Sequence, residues 1–226
     1  MRLLTHLMLA MTIMPLALAP QASAQEDTTS HMITYIEVVP AAKAPAATLL
    51  KELAAASKQD AGLLRFEVLE RTAPTNQFVI VEGWKDEAAL TAHAASAHAK
   101  QFRDKMQAHL IAPIDDRLSI VTTASPITPA AAGLYVVTHV DVAPPNRDKI
   151  IVSLKALADP TRKDKGNVRY DVLQQKNRTN HFTVVEAWTD QAADDAHEIA
   201  GHTKEFRGAL GPLTGALYDQ RWYKPL

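Results

Sequence analysis

The chain has no cysteine among its 226 residues, which excludes disulfides, thiolate metal sites and a lipid-modified N-terminal cysteine. Charge of neither sign is in excess. The 24 Lys and Arg stand against 25 Asp and Glu, a formal net charge of −1, so no basic field exists to attract nucleic acid or anionic lipid. No nucleic-acid partner is expected. Glycine is scarce at 8 residues, and neither a glycine-rich phosphate loop nor a zinc-protease pattern is present. Long apolar runs are confined to one place, Leu3 to Ala19, which follows Met1-Arg2 and leads to Ala22-Ser23-Ala24 before Gln25. A short positive start, an apolar stretch too short to favour a spanning helix and a small-x-small site together predict a signal peptide over residues 1–24. The mature protein is then expected in the periplasm or outside the cell, with no membrane partner after cleavage. With 47% hydrophobic residues, the remaining chain can bury one substantial core or two small linked ones.

What the chain does have is a second statement of itself. Phe78, Glu82, Trp84, His93, His98, Phe102 and Arg103 recur 104 residues later, without a gap, as Phe182, Glu186, Trp188, His197, His202, Phe206 and Arg207. A fixed-period repeat means a duplicated structural unit.

Each copy reads as strand, helix, strand, strand, helix, strand. The β-branched runs Ile33 to Val39 and Tyr135 to Val142 open the copies and stop at Pro40 and Pro144. The apolar stripes Ala46, Ala47, Leu50, Leu53, Ala54 and Ile150, Ile151, Leu154, Leu157, Ala158 predict a helix after each. Past Gly62 and Gly166 the pattern changes to period two, with Leu64, Phe66 and Val68 on one face and Arg65 and Glu67 on the other. Residues 73–76 and 177–180 are turn sequences that close a hairpin onto strands ending at Trp84 and Trp188. Asp86 and Asp190 are N-caps for a second helix, expected to break near Ser96-Ala97 and Ala200-Gly201. The reading divides the mature chain into domain one, 31–124, a proline- and alanine-rich linker, 125–133, and domain two, 134–226.

A βαββαβ unit is ferredoxin-like, an α+β fold with both helices on one side of a four-stranded antiparallel sheet. The bare sheet face needs a mate. Two sheets in one chain can cover each other, so the expected architecture is an intrachain pseudo-dimeric barrel; further association of such pseudo-dimers into a homo-oligomer is left open.

Two residue types draw attention within this frame. Glu82 and Glu186 lie on otherwise apolar strand faces, where a buried carboxylate needs a partner; a structural ion pair with an arginine of the other copy is the favoured reading, proton transfer the other. His98, Phe102 and Met106, like His202, Phe206 and Leu210, fall at i, i+4, i+8 and turn inward. His93 and His98 are five apart, about 140° round a straight helix, which is not the i, i+4 metal pair. No metal site is expected.

The segment from Asp60 to Leu69, the run Asn76 to Leu90 containing Glu82-Gly83-Trp84, and His93 and His98 before Phe102 closely resemble the antibiotic biosynthesis monooxygenase domain, which includes quinol monooxygenases. The second copy matches through Glu186-Ala187-Trp188, His197, His202 and Phe206. The resemblance implies a dimeric α+β barrel and oxygenation of electron-rich phenols or quinols by dioxygen, with no flavin, haem or metal as cofactor. Such chemistry needs a dry pocket, a base and donors for the resulting anion. It suggests His98 or His202 as base and Trp84, Trp188, His93, His197, Phe102 and Phe206 as pocket groups. Arg65 and Arg169 could clamp an anionic oxygen. Haem-degrading members resemble the chain less, since they carry tryptophan at the place of His93. The partners implied are a small aromatic substrate and dioxygen. An alternative, in a different class, is a non-catalytic binding or stress protein that holds a small aromatic in the same pocket.

Overall fold

The computed structural model describes residues 29–127 and 132–226. The expected signal peptide lies outside the described residues, as does 128–131 of the linker. The first copy consists of β1 (Ser30–Glu37), α1 (Lys43–Ser57), β2 (Leu63–Arg71), β3 (Gln77–Trp84), α2 (Glu87–Ala95), α3 (Ala97–Met106) and β4 (Asp115–Thr123). The second repeats it as β5 (Leu134–Asp141), α4 (Arg147–Thr161), β6 (Asn167–Gln175), β7 (His181–Trp188), α5 (Gln191–Glu198), α6 (Gly201–Leu210) and β8 (Asp219–Pro225).

The eight strands close into one antiparallel barrel in the order β1-β3-β2-β8-β5-β7-β6-β4. Closure is made by the last strand of each copy. β4 pairs with β1 through Asp115 to Ser119 and then, from Ser119 onward, with β6 of the other copy. β8 likewise passes from β5 to β2. A closed barrel leaves no strand edge exposed.

Strand alternation then sorts the side chains into two kinds of core. Ile36, Phe78 and Ile80 face outward onto Leu50 and Leu53 of α1 and Phe102 and Met106 of α3, and the second copy packs Phe182 and Val184 against Leu154, Leu157, Phe206 and Leu210. The intervening residues Ile33, Val79 and Val81 face into the barrel, where they meet Val137, Leu173, Val185 and Tyr223 of the second copy. This inner core belongs to neither copy alone. At about 1.5–3 kcal/mol for each fully buried aliphatic side chain, it is what joins the two sheets.

Candidate active site

The site forms where the turn after α1 meets the broken second helix. The chain leaves α1 through Asp60 and reaches Gly62, whose φ of 84° lies in the left-handed region open to glycine. A Cβ on Gly62 would come within 2.8 Å of Ala89 Cβ on α2. The turn therefore lies flat against α2 and brings Asp60 to it. Gly166, with φ 85° and an added Cβ only 2.5 Å from Ala193 Cβ, does the same for Asp164.

The helix break supplies the other half. Asp86 caps α2 by accepting from the Ala89 amide at 2.7 Å. α2 ends at Ser96, where ψ is 157°, and the Ser96 hydroxyl caps α3 by accepting from the Ala99 amide. The bend cancels the angular separation that five residues have on a straight helix, so His93 and His98 reach one carboxylate. Asp60 Oδ2 is 2.6 Å from His93 Nδ1 and 2.9 Å from His98 Nε2. Asp164 Oδ2 stands 2.8 Å from His197 Nδ1 and 2.9 Å from His202 Nε2. An ionised carboxylate only accepts, so it assigns N–H groups to the facing nitrogens. The straight-helix argument against any shared ligation by this pair does not survive the bend.

His93 is buried and stacks on Trp84 with ring centroids 4.8 Å apart. The Trp84 indole N–H donates to Glu82 Oε2 at 2.9 Å, and the same oxygen lies 3.9 Å from His93 Nε2. Glu82 thus finds its hydrogen-bond partner in the indole of its own copy, not in an arginine of the other. Glu186 repeats the arrangement, with Trp188 donating at 3.2 Å and His197 Nε2 at 3.7 Å. Burial pushes the Glu82 carboxyl up to about 7 and that of Glu186 up to about 8. Burial lowers His93 and His197 below the ordinary histidine value, opposed by Asp60 and Asp164.

In the first copy these groups face a cavity of about 40 Å³ whose walls include Glu82, His93, Met32, Leu90, Phe102 and Arg103. Arg103 holds Asp116 at 2.9 Å and also lines a surface groove of about 340 Å³ with Leu110 and Pro113. The second copy has different side chains at the same place. Asp194 stands for Leu90 and Trp222 for Leu118, and the Trp222 indole donates to Asp194 at 2.7 Å. Glu198 stands for Ala94 and pairs with Arg207. The two copies therefore keep one triad and differ in the space beside it.

Of the residues singled out in the sequence, His93 and Phe102 line the cavity, and Trp84 stands behind His93, on which it stacks. His98 is joined to His93 through Asp60, on the outer side, with 26% of its side chain exposed. Trp188 and His197 form the matching cluster, while His202 and Phe206 line a surface groove of about 140 Å³ between α4 and α6. Arg65 and Arg169 are elsewhere. They occupy the barrel-facing side of β2 and β6, where Arg65 pairs with Asp171 at 2.9 Å and Arg169 with Glu67 at 2.6 Å across the copies. The period-two alternation already puts them opposite Phe66 and so away from the cavity. Asp60 and Asp164 are the residues of the cluster that the sequence reading passed over. Their signal was the 104-residue offset, which they obey, masked because aspartate before glycine also reads as an ordinary turn.

The antibiotic biosynthesis monooxygenase family matches residues 29–105 and 133–209. The Bacillus subtilis (strain 168) protein named "Putative monooxygenase YcnE" is 33% identical over 81 residues, which cover 36% of this chain and 85% of that protein. Two solved structures share the whole two-copy fold. One, titled a "putative monooxygenase" of Fusobacterium nucleatum, has a TM-score of 0.80 at 16% identity and covers 89% of this chain and 94% of its own. The other, of the same title from Lactobacillus acidophilus NCFM, has a TM-score of 0.73 at 14% identity and covers 88% and 94%. The chain belongs to the antibiotic biosynthesis monooxygenase family and carries its domain twice.

Proposed function

We propose that the chain is an exported monooxygenase that oxidises quinol- or phenol-type aromatics with dioxygen and no organic cofactor, working in its first copy. The observation that supports this reading is the cavity beside Glu82 and His93, two of whose walls, Leu90 and Ala94, are replaced by Asp194 and Glu198 in the second copy. The reaction class is a hydroquinone plus dioxygen giving a hydroxyquinone plus water. The substrate supplies the electrons, and the protein supplies a proton acceptor and a dry, shaped wall.

His93 is the base. Asp60 holds its Nδ1–H at 2.6 Å, which fixes the tautomer and leaves the Nε2 lone pair toward Glu82 and the cavity, the carboxylate–imidazole logic of hydrolytic triads. Glu82, titrating near 7, can take the proton onward and return it to the departing peroxide oxygen as water forms. His98 shares Asp60 and carries the relay to the solvent edge. At about 40 Å³ the cavity is smaller than an aromatic ring, so the ring must enter past Arg103 and open the site as the guanidinium leaves Asp116. Arg103 then faces the developing phenolate.

The test is oxygen consumption by EDTA-treated protein with a panel of hydroquinones and no added cofactor. Turnover that falls roughly 10²- to 10⁴-fold in His93→Gln supports the reading. No uptake with any phenol overturns it. The small cavity favours one other reading, a carrier of a small aromatic, which the same panel would show as binding without uptake. Export is checked by the intact mass of the released chain, expected to begin at Gln25.

A further inference from the structure

The carboxylate and two imidazoles of each copy form a triangle of potential ligand atoms. In the second copy its edges are 2.8 Å (Asp164 Oδ2 to His197 Nδ1), 2.9 Å (Asp164 Oδ2 to His202 Nε2) and 3.4 Å (His202 Nε2 to His197 Nδ1). In the first copy the two edges at Asp60 are 2.6 and 2.9 Å, and the three atoms lie within 4.8 Å of one another. A divalent ion of the zinc type sits about 2.1 Å from imidazole nitrogen and carboxylate oxygen, which separates neighbouring ligand atoms by roughly 3.0 to 3.4 Å. The second triangle already has nearly that size. An ion about 1 Å out of its plane would touch all three atoms with no movement of the backbone.

A second observation separates this triad from the cavity. Leu90, Ala94 and Leu118 have become Asp194, Glu198 and Trp222, so the cavity's surroundings have changed between the copies. Aspartate and both histidines are kept, at the same separations of 33 and 38 residues. A triad retained where the residues beside it have changed has work that does not depend on those residues.

The ring nitrogens turned away from the triangle supply a third. Nε2 of His93 faces Glu82 at 3.9 Å, and Nε2 of His197 faces Glu186 at 3.7 Å. Metal-bound histidines characteristically direct their other N–H at a carboxyl oxygen; here that oxygen already accepts the Trp84 or Trp188 indole and stands just beyond hydrogen-bond distance of the ring.

We propose that each copy binds one first-row divalent cation of the Zn²⁺ class, through Asp60, His93 and His98 and through Asp164, His197 and His202. Two imidazoles and a carboxylate suit such ions better than Ca²⁺ or Mg²⁺, which take oxygen ligands. The partial exposure of His98 and Asp60, 26% and 19%, leaves water to complete the coordination. The ion would pin the helix break to the turn after α1. In the first copy it would also move the His93 proton from Nδ1 to Nε2 and so silence that nitrogen as a base. The inference goes beyond the oxygenase reading and is tested without turnover.

The experiment is a Zn²⁺ titration of the EDTA-stripped full chain, followed by calorimetry and native mass spectrometry. Two ions per chain are expected, one for each triad, together with a rise in thermal midpoint on loading. His98→Gln and His202→Gln lie at the solvent edge, and each should remove one ion; the double variant should bind none while keeping the wild-type circular dichroism. Asp60→Asn with Asp164→Asn should also bind none. A wild-type chain that takes up no Zn²⁺ overturns the proposal, and so does uptake of two ions by the folded His98→Gln/His202→Gln variant.

Discussion

Replacing Glu82 and Glu186 by Gln should remove a steep loss of stability with rising pH. Both carboxyls are buried, at 5% and 3% exposure, and burial lifts them from an ordinary 4.5 to about 7 and about 8. Above pH 4.5 the unfolded chain has released these protons while the folded protein still holds them. The folded state then binds more protons, so stability falls as pH rises. For Glu82 the fall ends near pH 7 and for Glu186 near pH 8. Each group removes up to about 1.4 kcal/mol per pH unit inside its window, and the two together about 5 between pH 5 and 7. That is a large share of the ~5–15 kcal/mol that stabilises an ordinary domain. His93 and His197 act with the opposite sign, because burial lowers them and the unfolded chain binds the extra proton below the ordinary histidine value. Comparing variant with wild type isolates the carboxyls, since Gln keeps an acceptor oxygen for the Trp84 or Trp188 indole. Urea unfolding at pH 5, 6, 7 and 8 measures it. The stability gap between Glu82→Gln/Glu186→Gln and wild type should open steadily from pH 5 and level off above 8. Parallel curves would refute the claim that these carboxyls are held neutral in the fold.

Two further outcomes follow from the asymmetry and from the barrel interior. Leu90→Asp combined with Leu118→Trp transfers the second copy's side chains into the first and should abolish oxygen uptake while leaving the unfolding midpoint close to wild type; full uptake would mean that the cavity is not where substrate reacts. Arg169→Met removes one of the two arginines at Asp171 and the arginine at Glu67 and should cost roughly 1–3 kcal/mol in urea unfolding, because Asp171 keeps Arg65 and Glu67 keeps the Tyr135 hydroxyl; an unchanged stability would show that the pairing contributes nothing net.

The features legible in the sequence are those carried by local rules or by the repeat. The 104-residue offset announced two units, and the strand alternation around Phe66 and Ile80 announced which face each helix covers. Asp86 and Ser96 announced the caps and the bend between α2 and α3, because capping depends on a few neighbouring residues. Barrel closure followed from the unpaired apolar face of each unit. What stayed hidden depends on contacts distant in the chain. Asp60 is 33 residues from His93, and nothing in its turn sequence distinguishes a ligand from a turn former. Arg65 was a reasonable anion clamp by residue type, yet its strand face sends it into the barrel toward Asp171, 106 residues away. Glu82 needed a partner by any reading, and the fold supplied the nearest one, the indole two residues on.

The differences between the copies make sense only as a set. Asp194 is fully buried, and a buried carboxyl without a hydrogen bond is costly; burial raises its pKa, and the Trp222 indole and the Gln191 amide both donate to its Oδ2, at 2.7 and 3.2 Å, while Oδ1 has no partner. Trp222 in turn packs against Val136 and Trp188, where Leu118 packs with Met32 and Trp84 in the first copy. Neither change stands well alone. Aspartate opposite a leucine would be unpaired, and a tryptophan opposite a leucine would bury an unused N–H. The second copy has therefore settled into an internally bonded form, with Glu198, Arg207 and Gln220 linked beside it. The first has kept apolar walls around a titratable carboxyl and a buried imidazole. A molecule that needed only a stable barrel could build both sides in the same way. Replacing the apolar walls in one copy and keeping them in the other fits a division of labour, with the second copy completing the barrel and the first carrying the proposed chemistry.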